Sequence, residues 1–131
     1  MADNIPDAIE NAILNLLLRG TALTVTTPIK ARLMTVNGSD AANGTELTTS
    51  GGYTALGQTI TFGTAAAAGS IANTVACTWV NMPVATIVGL ELWDSTGTPV
   101  RLWWGALSAP KTTASGDTFE FAIGDVTCAL T

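Results

Sequence analysis

Apolar side chains recur at helical spacing near the start of the chain. Ile9, Ile13, Leu16 and Leu17 form one stripe, and Asp7, Asn11 and Asn15 lie on the other side. The spacing predicts a helix over about residues 5–19. Asn4 is placed to cap it, Pro6 suits its first turn, and Asp3, Asp7 and Glu10 put negative charge at the positive end of the helix dipole. Arg19 followed by Gly20 is a good helix end. Leu14 and Leu18 widen the apolar face beyond what packing on one sheet requires. The helix therefore either plugs the end of its own domain or also packs on a neighbouring subunit.

After Gly20 the period changes from helical to alternating. Thr and Val become abundant, and short apolar runs are separated by Gly, Asn, Pro and Ser. The runs predict strands at Ala22–Thr26, Ile29–Val36, Gln58–Phe62, Ile71–Trp79, Thr86–Trp93, Val100–Leu107, Thr118–Ile123 and Val126–Leu130. Strands without intervening helices favour a mainly β fold, a single antiparallel β-sandwich or jelly-roll-like domain over about residues 22–130 with the helix in front. No linker divides residues 1–131, so one domain is expected. Asp94–Pro99 reads as a hairpin turn, and Asn37–Tyr53 and Gly63–Ser70 read as long loops. Turns at 115–117 and 124–125 suggest a C-terminal meander that ends inside the sheet.

Composition adds a surface problem. Hydrophobic residues make up 47% of the chain and charged residues only 11%, against about 25% charged in ordinary soluble domains. Either the surface is polar without charge, through Thr, Ser and Gly, or much of it is covered in an assembly. The net charge of −5 and the scattered cations Arg19, Lys30, Arg32, Arg101 and Lys111 argue against direct nucleic-acid binding. Only Lys30 and Arg32 fall close together, on one side of a strand. No run of about 18 apolar residues predicts a membrane span, and the acidic N-terminus does not resemble a secretory signal. Cys77 and Cys128 lack metal-ligand spacing and sit in strand-like segments, which favours buried thiols over a disulfide.

The chain contains no histidine. That removes His-based nucleophile activation, the common zinc sites and the usual general base near neutral pH. No Ser-x-x-Lys spacing serves Lys30 or Lys111. Glu91 with Asp94, or Glu120 with Asp125, could be proposed as a carboxylate pair. Glu91 lies between Leu90 and Leu92, and Glu120 between Phe119 and Phe121, so alternation turns both to a solvated sheet face. Asn37-Gly38-Ser39-Asp40 with Glu46 is a weak calcium loop, lacking the spaced acids of an EF-hand, and no glycine cluster leads into Lys-Ser/Thr as a phosphate loop would. No catalytic residue, metal ligand or cofactor site is expected.

The tryptophans Trp79, Trp93, Trp103 and Trp104 are the most informative side chains. Trp103 and Trp104 are adjacent on a strand and must point to opposite faces. One can anchor the core; the other is exposed, covered by a loop, or buried against a partner. An exposed ring could also stack on a sugar, which keeps a carbohydrate-binding module as an alternative of another class. The expected assembly interface consists of Ile13, Leu14, Leu17, Leu18, Trp103 and Trp104.

Several segments are similar to a known pattern. Gly52-Tyr53-Thr54-Ala55 leads into Thr59-Ile60-Thr61-Phe62-Gly63. Val88-Gly89-Leu90-Glu91-Leu92-Trp93-Asp94 precedes Arg101-Leu102-Trp103-Trp104-Gly105-Ala106-Leu107. Ser115-Gly116-Asp117-Thr118-Phe119-Glu120-Phe121 is followed by Gly124-Asp125. In this order, and with the helix ending at Leu18-Arg19-Gly20, they resemble a family of small tailed-phage virion proteins described as tail-fibre-like or minor structural proteins. The chain departs from that pattern at Asn37-Gly38-Ser39-Asp40, where an acidic Asp-Pro turn is common. The resemblance implies a non-enzymatic virion part, assembled in the host cytoplasm. The leading expectation is a capsid decoration or cement protein, homo-oligomeric (a trimer would fit) and bound to the major capsid protein or other virion proteins. A tail or fibre component contacting the host is the alternative.

Overall fold

The computed structural model describes residues 4–65 and 68–130. Asp3, and Ala66 and Ala67 of the predicted small-residue loop, lie outside the described residues. Among the described residues one helix, α1 (Asp7–Arg19), precedes nine strands. These are β1 (Ile29–Val36), β2 (Thr45–Glu46), β3 (Gln58–Ile60), β4 (Ser70–Ala72), β5 (Cys77–Met82), β6 (Ala85–Trp93), β7 (Arg101–Thr113), β8 (Asp117–Phe121) and β9 (Thr127–Ala129). The mainly β, antiparallel, sandwich-like architecture matches the expectation from the sequence.

The larger sheet runs β2-β1-β6-β7, with β3 also paired to β1. Two antiparallel pairs, β5–β8 and β4–β9, supply strands opposite it. Alternation decides what lies between them. Ala31, Leu33, Leu90 and Leu92 from the sheet meet Cys77, Trp79, Phe119, Phe121, Val126 and Cys128 in one core. Trp79 is the hub, with ring centroids 6.3 Å from Tyr53, 6.0 Å from Phe119 and 6.2 Å from Phe121. Both cysteines are buried, as their strand setting predicted, and burial pushes the Cys77 thiol above its ordinary value.

Four local expectations are corrected. The helix cap position is held by Pro6, with no side-chain cap bond, rather than by Asn4. Asn4 instead pairs with β7, its N–H donating to the Trp104 carbonyl at 3.2 Å and its carbonyl accepting from Trp104 N–H at 3.0 Å. Ala22–Thr26 forms no strand and is largely exposed, with the Thr26 carbonyl accepting from Ser95 N–H at 2.9 Å just after β6. The predicted strand Ile71–Trp79 is two strands, β4 and β5, broken at Asn73. That side chain is 1% exposed and uses its whole amide: it donates to the carbonyls of Val75 and Ala122 and accepts from Gly124 N–H and Val126 N–H. The same break separates the C-terminal strands. β8 pairs with β5 and β9 with β4, so no C-terminal meander forms.

The predicted hairpin over Asp94–Pro99 joins β6 to β7 and is organised by one carboxylate. Asp94 Oδ1 accepts from Val100 N–H at 2.8 Å, from the Thr96 hydroxyl at 3.1 Å and from Thr96 N–H at 3.5 Å. Burial alone would raise this carboxyl, but the converging donors outweigh it and hold it below its ordinary value. A depressed folded value means that the stabilisation is complete above the unfolded value of about 3.9. It is lost as pH falls through the lower folded value. Asp94→Asn should therefore lower the urea midpoint at neutral pH and narrow its gap to the parent as the solution is acidified. A gap independent of pH would disprove the carboxylate's role.

Candidate functional site

Two surfaces could carry function, one polar and one apolar, on opposite faces of the main sheet. On the outer face Glu91 stands between Leu90 and Leu92, as alternation requires, yet it is not solvated. It is 1% exposed and makes a 3.1 Å ion pair with Arg101, itself 6% exposed. This corrects the expectation of a solvent-facing carboxylate. The reason is the loop 37–44, which folds back over the sheet. Arg101 donates to the carbonyls of Ala42 at 2.9 Å, Ser39 at 2.5 Å and Asp40 at 3.3 Å. Glu91 accepts from Gly44 N–H at 2.7 Å and from the Trp93 indole at 3.0 Å. Gly89 allows the approach, since a Cβ there would collide with the Asn37 side chain. The loop singled out as a weak calcium site is thus turned onto the chain's own ion pair.

The same polar row continues across β1. Arg32 lies 4.0 Å over the Trp93 ring and pairs with Glu46 at 3.7 Å. Glu46 also accepts from the Tyr53 hydroxyl and Leu56 N–H, each at 2.7 Å. Tyr53 in turn accepts from Leu33 N–H at 3.1 Å, and burial with the neighbouring Glu46 pushes its phenol well above the usual value. Every carboxylate of this row is committed to donors inside the fold. Its chemistry is that of a clasp that fixes loop 37–44. Asp40 extends the clasp to the helix, its carbonyl accepting from Asp7 N–H at 3.2 Å and its side chain from the Trp104 indole at 3.0 Å.

The apolar surface lies on the other side. A groove of about 390 Å³ is walled by Ile13, Phe62, Ile71, Leu102, Trp103 and Leu130, among other apolar residues. The exposed flank of α1 adjoins it, with Leu14 54%, Leu17 71% and Leu18 80% exposed. Of the predicted interface residues, the structure brings Ile13 and Trp103 together in the groove and places Leu14, Leu17 and Leu18 on the flank. Trp104 is separated from them on the outer face, opposite Glu91. Both Trp103 and Trp104 are half-buried. Sequence reasoning missed Phe62, Ile71 and Leu130 as groove residues; each is apolar, but nothing in its local pattern distinguishes a groove wall from a core. It also missed the Glu91–Arg101 pair.

Among the described residues, no helix is long and apolar enough to cross a membrane. Comparison with curated proteins gives no match. The family model described as podophage GP4 fiber I protein gp80 matches residues 4–129, which takes in the helix, the clasp and every strand. This chain therefore belongs to the podophage GP4 fiber I protein gp80 family and is a structural component of a tailed-phage virion.

Proposed function

We propose that the chain is a non-enzymatic fibre subunit of the phage particle, acting mechanically by burying its apolar groove and helix flank against further copies and neighbouring virion proteins. The observation that carries this reading is the family match over residues 4–129, whose description is a fibre protein. Four leucines exposed on one 13-residue helix, Leu14, Leu16, Leu17 and Leu18, support self-association, since such a patch is costly on a lone soluble domain. The low charge and exposed apolar surface that favoured capsid decoration serve a fibre equally well, and the family description tips the balance to the fibre. The commitment of Glu91, Glu46 and Asp94 to internal donors supports a role without catalysis.

The test is gold-labelled antibody on purified particles combined with quantitative mass spectrometry of the same sample. Label confined to tail-proximal fibres, at a copy number far below that of the major capsid protein, is expected. Label spread over the head at a copy number comparable with the capsid protein would replace this reading with capsid decoration.

A further inference from the structure

Lys30 and Arg32 are the two cations that fall together in the sequence, and the clasp does not use up their donors. The acids around them are matched: Glu91, Glu46 and Asp94 each accept from donors of the fold. Arg32 is not. It is 8% exposed, yet among the described residues its guanidinium donates no hydrogen bond. Its Nε–H is shut off from water without an acceptor, a costly state for a buried donor. Its ion pair to Glu46 is long at 3.7 Å, and Glu46 Oε1 is taken by the Tyr53 hydroxyl and Leu56 N–H. The Nη groups, unlike Nε, are within reach of solvent.

A cleft of about 320 Å³ is lined by this pair from β1, by Leu56 from the loop before β3, and by Ser95, Thr96 and Pro99 of the β6–β7 hairpin. That volume is at the low end for small-molecule sites. The Arg32 guanidinium lies 4.0 Å over the Trp93 ring, which fixes the plane of its fork before anything binds. Lys30 spends one donor on the Thr59 hydroxyl at 3.3 Å and keeps two. Asp94 also borders the cleft, but its Oδ1 is held by Val100 and Thr96 donors. Leu56 sits in left-handed backbone at φ 76° with its side chain 58% exposed. A non-glycine residue there is strained, and strain of this kind clusters at ligand sites.

We propose that this cleft binds a sugar acid, with its carboxylate on the Arg32 fork and the Lys30 ammonium and its ring against Leu56 and Pro99. A planar carboxylate matches two parallel N–H groups of a guanidinium. A phosphate dianion matches less well, because Glu46 and Asp94 lie close enough to repel a second charge. The Ser95 and Thr96 hydroxyls donate within the fold, to Pro28 and to Asp94 and Thr98, and keep lone pairs for ligand hydroxyls. The cleft is complete in one copy and lies apart from the apolar groove, so the proposal is independent of the fibre and self-association readings.

NMR titration of the purified full chain with sodium glucuronate tests this, with glucose and inorganic phosphate as comparison ligands at constant ionic strength. Saturable shifts are expected at the amides of Leu56, Gly57, Ser95 and Thr96 and at Arg32 Nε–H, with a Kd of about 1 mM for a ligand of this size. Glucose, which lacks the carboxylate, should bind about tenfold more weakly or worse. Arg32→Lys keeps the charge but loses the fork and should weaken glucuronate about tenfold. Lys30→Gln should weaken it about three- to fivefold. If Arg32→Lys unfolds, Lys30→Gln decides, since Lys30 is only half-buried. No saturable shift, glucose binding as well as glucuronate, phosphate binding more tightly than glucuronate, or unchanged affinity in Lys30→Gln would each overturn the proposal. Antibody position on the particle tests the fibre assignment separately, so either idea can fail alone.

Discussion

Glu91→Ala should cost about 3–5 kcal/mol of folding stability, the range for breaking a buried ion pair from one side. The change strands the Arg101 guanidinium under loop 37–44, with only the carbonyls of Ser39, Asp40 and Ala42 left to it. It also deprives Gly44 N–H and the Trp93 indole of their acceptor. A domain of ordinary stability holds about 5–15 kcal/mol in total, so this one carboxylate decides a large part of it. Arg101→Ala should cost a similar amount by leaving a buried carboxylate. The double variant should lose less than the sum of the two, since it leaves no uncompensated charge. Urea unfolding of the four proteins measures all three quantities. A loss below about 1 kcal/mol for Glu91→Ala would mean that loop 37–44 opens readily and water solvates the pair.

The second large effect is expected at Trp79. Trp79→Ala should destabilise by about 3–5 kcal/mol, because the neighbouring side chains cannot collapse into the space of an indole. The ring is 4% exposed and contacts Tyr53, Phe119 and Phe121 at once, while Phe119 and Phe121 also pack edge-on at 5.2 Å. Trp79→Phe keeps part of that volume and should cost less than half as much. The urea midpoint should fall with the slope unchanged. A similar cost for both variants would show that the edge-on geometry, not the filled volume, dominates at this position.

The helix and most strands were legible because each buries one face, and a buried face imposes its period on the sequence. The Glu91 side chain was correctly turned away from Leu90 and Leu92. Its burial was not legible, because alternation tells which face a residue takes and not what covers that face. Arg101 was harder still. The register of β6 and β7 pairs Glu91 with Trp104 and Leu92 with Trp103, then shifts so that Trp93 meets Arg101. That bulge carries Arg101 onto the face of Glu91, whereas regular alternation back from Trp104 would have placed it on the other. Asn73 concealed itself in a similar way. Nothing local separates Ile71–Trp79 from a continuous strand; the break arises because one amide is needed by the backbone near Ala122, Gly124 and Val126, about fifty residues on. The interface expectation grouped Trp104 with Trp103 on size and type, and the sheet then placed them on opposite faces. Ala22–Thr26 has the composition of a strand, but a strand also needs an edge to join, which the sequence cannot supply by itself.

The placement of β1 at the centre of the main sheet has a consequence for synthesis. Its long partner is β6, and Lys30 must wait for Trp93 and Arg32 for Glu91. At ribosomal rates of about 5–20 residues per second, several seconds pass between the two. Throughout that interval α1 has already emerged, with leucines that the finished fold never covers and a sheet not yet built beside it. Nascent chains on one messenger would present such helices to each other before either fold is complete. Slow translation upstream of β6 should therefore favour premature clumping, and co-expression with a holdase that shields short leucine-rich helices should raise the soluble yield.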